Sequence, residues 1–378
     1  MTAASSPITQ ALELAAQALF LSNPNPRVGC VITAADGRVL GRGFTQQAGG
    51  PHAEVMALRD AAAQGRAASG ATAYVTLEPC AHQGRTGPCC DALIAAGIAR
   101  VVASIADPNP LVAGQGFARL RAAGVQVEIG PGAAESRELN IGFFSRMVRG
   151  TPWVRMKAAT SLDGVAALAD GTSQWITSPE ARTDGHAWRA RACAVLTGVG
   201  TVLADDPLLN VRGAATPRQP HLVVLDSHLR TPPGARLFDV PGRQVWIYTA
   251  REDTAASDAL RARGATVTAL PNADGQVDLP ALLRDLGRRS VNELHLEAGP
   301  RLSGAFVQAG LVDEVLLYLA PMLLGSGGQR LADWGPLQAL SQGLGLEWQG
   351  VERVGPDLRL LARAKGRADF GLTVSEGL

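Results

Sequence analysis

The chain has 378 residues, more than one hydrophobic core ordinarily serves, so two domains of roughly 100–200 residues each are expected. Its composition is 46% hydrophobic and 18% charged, with a net charge of +1. That is ordinary for a globular enzyme and unlike the basic footprint of a dedicated nucleic-acid binder. No apolar run reaches the roughly 18–20 residues that cross a bilayer, and the N-terminal "MTAASSPITQ" lacks a positive n-region; a cytoplasmic location, with no membrane or nucleic-acid partner, is the expectation.

In chain order, residues 8–21 have the spacing of an amphipathic helix, and 28–44 predict a hairpin turning at Asp36-Gly37. A helix over 52–65 is stopped by Gly65. Strand 71–77, helix 88–96, strand 99–105, helix 113–123, strand 125–129 and helix 133–146 follow. The "RGTPWV" punctuation then marks a domain boundary. Beyond it, strands are expected near 153–159, 194–197, 221–226, 244–248, 266–270, 293–297 and 313–320, with helices between them. This alternation reads as α/β in both halves: residues 1–148, residues 149–365, and a loosely held tail over 366–378.

Five cysteines are too few for a disulfide scaffold of this size, and three of them crowd into "LEPCAHQGRTGPCC" at 77–90. A catalytic zinc site takes three protein ligands and leaves one position open for water. His52 of "PHAEV", Cys80 and Cys89 would supply one imidazole and two thiolates for one zinc per chain. Glu54 lies two residues after His52. In mid-helix that step is about 200°, so both side chains reach one ion only if His52 sits at the helix start; Pro51 suits such a start. Cys89 follows Pro88 at another helix beginning, where the dipole favours a thiolate. Neighbours on a helix diverge by about 100°. Cys89 is therefore the expected ligand, and Cys90 a small buried hydrophobe; Cys30, in mid-strand, is expected in the core.

His-Ala-Glu followed by Pro-Cys and a later cysteine resembles the zinc-dependent cytidine deaminase superfamily, except that eight residues separate Cys80 from Cys89. "NPNPRVGCVI", "PHAEV", "TLEPCAHQGRTGPCCDALI" and "DPNPLVAGQG" together resemble the deaminase half of the bifunctional riboflavin-biosynthesis deaminase–reductases. "KAATSLDGVAA", "SQWITS", "TGVGTVLADDPLLNVR", "LDSHLRTPP" and "LHLEAGPRLSGAF" resemble the reductase half. The likeness runs from about residue 8 to 363 and keeps both halves in the usual order.

The resemblance implies an N-terminal cytidine-deaminase-like three-layer α/β/α domain and a C-terminal dihydrofolate-reductase-like α/β domain that binds NADPH. The second half has no G-x-G-x-x-G after a strand, against a Rossmann dinucleotide site. Glu54 is then the proton shuttle, and Asn23, His82, Arg85 and Thr86 bind the pyrimidine and phosphate of the first substrate. In the second half the resemblance implies cofactor contacts at Ala159, Trp175, Thr201, Asp205, Ser227, Gly299, Pro300, Arg301, Leu302, Ser303, Gly304 and Ala305. Substrate contacts fall on Ser173, Arg189, Leu209, Arg212 and Glu297, while Lys157 polarises the open-chain sugar carbonyl as hydride arrives. Arg230 is a candidate for the 2′-phosphate of NADPH.

The implied substrates are small phosphoribosylaminopyrimidines and the implied assembly is a homo-oligomer. Two other readings stay open on the residues alone. One is a nucleic-acid-editing deaminase with an accessory domain. The other is a closed structural zinc site in which Cys90 or His82 supplies a fourth ligand.

Overall fold

The computed structural model describes residues 5–81, 87–110, 112–252 and 255–371. Its contacts divide the chain into two compact units, Met1–Arg149 with Asp369–Leu378, and Gly150–Ala368.

Unit 1 runs α1 (Pro7–Gln17), β1 (Gly29–Thr33), β2 (Val39–Phe44), α2 (Ala53–Ala63), β3 (Thr72–Val75), α3 (Cys89–Ala95), β4 (Arg100–Ala103), α4 (Gln115–Ala122), β5 (Gln126–Ile129), α5 (Ala133–Leu139) and α6 (Ile141–Arg149). Its sheet has the order β2-β1-β3-β4-β5, with β1 antiparallel to both neighbours and the rest parallel. Small residues let helices lie directly on the strands. A Cβ at Gly29 would come within 1.8 Å of the Ala11 carbonyl in α1, and one at Gly43 within 2.4 Å of the Ala53 carbonyl in α2. Gly43 pairs with Cys30, and Cys30 points to the opposite face from its neighbour Gly29. The two helices therefore cover opposite faces, as three layers require, and Cys30 is in the core.

The single helix expected over 133–146 is two. Asn140 separates them, its side chain accepting from the Arg27 N–H at 2.7 Å and donating to the Arg27 carbonyl at 2.9 Å. Phe370, inside the segment expected to be a loose tail, is buried against Phe144 with ring centroids 5.9 Å apart.

Unit 2 runs β6 (Trp153–Ser161), β7 (Val165–Ala167), α7 (Pro179–Arg191), β8 (Ala194–Gly198), α8 (Val199–Asp205), β9 (His221–Leu225), β10 (Val245–Thr249), α9 (Ala255–Ala262), β11 (Ala265–Ala269), α10 (Leu279–Arg288), β12 (Glu293–Leu296), α11 (Pro300–Gln308), β13 (Glu314–Ala320), β14 (Gln329–Arg330), β15 (Leu346–Val354) and β16 (Asp357–Ala364). A nine-stranded sheet has the order β11-β10-β9-β8-β12-β6-β13-β16-β15. All its pairings are parallel except at one edge, where β15 turns into β16 and β16 lies antiparallel to β13. The β15–β16 hairpin and the short β7–β14 ribbon lie outside the strands expected from sequence.

Alternation along two central strands sorts core from chemistry. Val154 and Met156 of β6, with Leu294 and Leu296 of β12, pack with Phe306, Leu282 and Leu286 of α11 and α10. The intervening Arg155 and Lys157 of β6, and Glu293, His295 and Glu297 in and just beyond β12, lie on the other face. There Arg155, fully buried, reaches Glu293 at 2.9 Å and Glu314 at 2.6 Å. Arg191 of α7 closes on Glu293 at 2.7 Å. A buried charge needs such partners, since leaving one out of water alone costs several kcal/mol, roughly.

A candidate metal centre and a candidate reductase cleft

The register fixes where the first site forms. Gly29 pairs with Phe44, and the Thr76 N–H donates to the Gly29 carbonyl at 3.1 Å. The exits of β2 and β3 and the entry to β1 therefore share one sheet edge. His52 follows β2, Cys80 follows β3, and Asn23 lies in the partly buried turn ahead of β1.

His52 caps α2 with extended backbone (φ −78°, ψ 170°). The step to Glu54 thus escapes helical geometry. Cys89 opens α3 behind Pro88. The His52 Nδ1 stands 3.3 Å from the Cys89 sulfur and 3.7 Å from the Cys80 sulfur, and the three donor atoms lie within 4.8 Å of one another. Zn–N and Zn–S bonds of about 2.0–2.1 and 2.3 Å at a tetrahedral angle would span about 3.5 Å between N and S. The donor set fits zinc. The Cys89 beside it, whose N–H donates at 3.3 Å, lowers the Cys80 thiol below its ordinary range, which favours a thiolate there.

Cys90 turns away, as expected. Its thiol donates to the carbonyls of Pro79 at 3.1 Å and Gly116 at 3.5 Å, so it does not close the coordination shell. Glu54 is 3% exposed, and burial pushes its carboxyl up to about 7, where it can both take and give a proton. His82, Arg85 and Thr86 lie outside the described residues.

Glu78 was not singled out from sequence. Its buried carboxylate accepts four backbone N–H bonds. Those of Asp107 (3.1 Å) and Gly114 (3.0 Å) reach one oxygen, and those of Gly116 (2.8 Å) and Phe117 (3.3 Å) reach the other. It ties the 107–117 segment beneath Pro79-Cys80, so close that a Cβ at Gly116 would meet the Pro79 carbonyl at 2.1 Å. The signal was an acid in the apolar run "YVTLEPC", which needs donors if it is buried.

Unit 2 holds a cleft of about 2200 Å³. Lys157, Ala159, Ser173, Trp175, Arg189, Thr201, Asp205, Leu209, Arg212, Ser227 and Glu297 line it, as do Gly299, Pro300, Arg301, Leu302 and Ala305. Ser303 and Gly304, expected to contact cofactor, are not among the residues that line the cleft. The helical turn carries them to the far side of α11, where Ser303 donates to the Ala298 carbonyl at 3.3 Å. A Cβ at Gly304 would collide with the Asp333 carbonyl at 1.7 Å. Arg230 lies on the cleft wall.

Arg189 grips Glu297 in a two-pronged pair, Nε–Oε1 and Nη2–Oε2 both at 2.7 Å. This pair holds the Glu297 carboxyl below its usual range against the opposing effect of burial. Burial lowers the Lys157 ammonium, with Glu297 opposing and Arg189 adding to the shift. At Gly200 and Gly299 a Cβ would meet nothing within 4 Å, so backbone is bared to the cleft. The first N–H groups of α11 open there too, where an anionic group of a dinucleotide can dock. The lining suits NADPH.

Comparison with known proteins gives two family matches: the cytidine and deoxycytidylate deaminase zinc-binding region over residues 1–105 and the RibD C-terminal domain over 152–360. The riboflavin biosynthesis protein RibD of Escherichia coli is 47% identical over 367 residues, covering 93% of this chain and 97% of that protein. Its namesake in Mycobacterium tuberculosis is 41% identical over 358 residues, covering 93% and 94%. Among solved structures, RibD of Acinetobacter baumannii superposes with a TM-score of 0.86 at 41% identity, over 95% of this chain and 98% of that one. A Thermotoga maritima protein described as a diaminohydroxyphosphoribosylaminopyrimidine deaminase/5-amino-6-(5-phosphoribosylamino)uracil reductase gives 0.84 at 33% identity, over 95% and 97%.

Proposed function

Because this chain belongs to the RibD family, we propose that it performs two consecutive steps of riboflavin biosynthesis. Unit 1 hydrolyses the 2-amino group of 2,5-diamino-6-(5-phosphoribosylamino)pyrimidin-4-one. Unit 2 reduces the ribosyl side chain with NADPH, giving 5-amino-6-(5-phosphoribitylamino)uracil. The observation that carries this reading is a three-donor zinc set beside an unligated buried glutamate, in one chain with a basic cleft of dinucleotide size. An editing deaminase is not favoured, since the relatives along the whole length are riboflavin enzymes.

Held by His52, Cys80 and Cys89, zinc supplies a water activated near neutral pH. Glu54 takes a proton from the attacking water and delivers protons to the ring nitrogen and the departing ammonia. Asn23 orients the pyrimidine, and His82, Arg85 and Thr86 hold its phosphate. In unit 2, bound NADPH supplies the hydride. Lys157 polarises the sugar carbon that receives it, Glu297 orients the substrate from its Arg189 clamp, and Ser173, Leu209 and Arg212 complete the substrate wall. Ala159, Trp175, Thr201, Asp205, Ser227, Arg230 and the 299–302 turn with Ala305 hold the cofactor.

No described helix is long and apolar enough to cross a membrane, and the chain works in the cytoplasm on small molecules. It is a homo-oligomer. The edge strand β15 exposes Trp348 (67%) and Val351 (58%), an unpaired apolar edge of the kind that proteins cover. Incubation with the diaminopyrimidine phosphate tests the whole reading. Ammonia should appear without NADPH, and NADPH should be oxidised only after deamination. Absence of ammonia release by the zinc-loaded protein would remove the first assignment, and absence of NADPH oxidation with the deaminated compound the second.

A further inference from the structure

α7 presents Arg182, His186 and Arg189 to the cleft at i, i+4 and i+7, one face of a helix. His186 has no role so far. Its Nδ1 stands 3.2 Å from the Arg212 backbone N–H and 3.4 Å from Nη1 of Arg189. Both neighbours are donors only, so Nδ1 is the bare, accepting nitrogen and the ring proton sits on Nε2. Among the described residues Nε2 has no hydrogen-bond partner.

The surroundings are one-sided in charge. Lys157, Arg189 and Arg212 line the same wall, and the acid facing them, Glu297, already has both oxygens engaged by Arg189. Burial, then Arg189 and Arg212, push the imidazole down to about 4, leaving it neutral. A wall with surplus cations and a fixed neutral N–H donor fits a phosphate.

We infer that His186 is a further substrate-binding residue of the reductase cleft, tethering the Arg212 segment through Nδ1 and donating from Nε2–H to the phosphate of the phosphoribosyl substrate. The inference rests on the reductase reading above and adds a residue that selects for the phosphorylated compound. A tether alone would be a purely structural role, and the two are separable.

The test compares His186→Leu and His186→Gln on 5-amino-6-(5-phosphoribosylamino)uracil and on its dephosphorylated counterpart. The leucine variant should raise KM for the phosphorylated substrate roughly 10- to 100-fold, the worth of one hydrogen bond to a charged group. It should leave kcat/KM for the dephosphorylated one within about threefold. Glutamine offers an oxygen to the Arg212 N–H and an NH₂ to the phosphate, and should restore most of the difference. Equal penalties on both substrates, or none on either, would overturn the assignment.

A measurement on the unaltered protein stands beside it. The chain has six histidines, so ¹⁵N-histidine spectra can be assigned by loss of one signal in His186→Gln. His186 should show the Nε2–H tautomer, and that signal should move on titration with inorganic phosphate. The Nδ1–H tautomer, or a signal indifferent to phosphate, would refute the inference. Turnover by the unaltered enzyme is the control. If it does not reduce the phosphorylated compound, the functional reading of the cleft fails; if it does and the variants do not discriminate, only the His186 assignment fails.

Discussion

Replacing Glu78 by glutamine keeps the shape of the side chain and exchanges one acceptor oxygen for a donor. Each oxygen of Glu78 takes two backbone N–H groups. Whichever way the amide turns, two N–H groups face an NH₂ and lose their acceptor. At about 1.5 kcal/mol for each charge-assisted bond, the loss is about 3 kcal/mol, before any penalty for donors left buried. For a unit of about 150 residues that lowers its melting temperature by roughly 6–12 °C. Calorimetry reads the whole chain. Tryptophan fluorescence reads unit 2 alone, because all six tryptophans lie at or beyond residue 153. The calorimetric transition that fluorescence does not follow should fall. Ammonia release should be lost at a correspondingly lower temperature, and reduction of the deaminated substrate at 25 °C should be unchanged. A fall in stability below about 1 kcal/mol would mean that the 107–117 segment is held by something other than this carboxylate.

Metal analysis should show zinc lost on Cys80→Ser, Cys89→Ser or His52→Ala and kept on Cys90→Ser, whose hydroxyl can still donate to the Pro79 carbonyl; zinc kept in Cys89→Ser would reverse the ligand assignment. Glu54→Gln should keep zinc, abolish ammonia release and leave reduction intact. Lys157→Ala should spare deamination and depress NADPH oxidation by roughly 10²–10⁴-fold; loss of both activities in a folded variant of either kind would contradict two separate sites. Trp348→Asp places a charge on the exposed edge strand, and sedimentation should then report a smaller species than it does for the unaltered chain; an unchanged sedimentation coefficient would contradict an assembly through this edge.

The candidate metal centre was legible because its three donors sit where local rules apply. Pro51 and Pro88 mark helix starts, and at a start the direction of one side chain can be argued from the next. The Cys89/Cys90 distinction came from the 100° step alone, and the carbonyls that receive the Cys90 thiol agree with it. Glu78 was not legible in that way, since its four donors come from 29 to 39 residues further along. Ser303 and Gly304 were carried over as part of a contiguous motif, and a helix does not present a contiguous motif to one side. The β15–β16 hairpin escaped notice because Leu346, Trp348 and Val351 are exposed. A strand whose apolar side faces outward does not give the one-sided pattern by which strands are recognised. His186, by contrast, stood in plain view at helical spacing from Arg189.

The sulfurs of Cys80 and Cys89 are brought together by different parts of unit 1: Cys80 by the exit from β3, anchored from below by Glu78, and Cys89 by the first turn of α3. They are also tied to each other, the Cys89 N–H donating to the Cys80 sulfur at 3.3 Å and the Cys90 N–H to the Cys80 carbonyl at 3.2 Å. The spacing of the two sulfurs is therefore set by one clasp between a strand exit and a helix start, and a change that loosens either end loosens both thiols together.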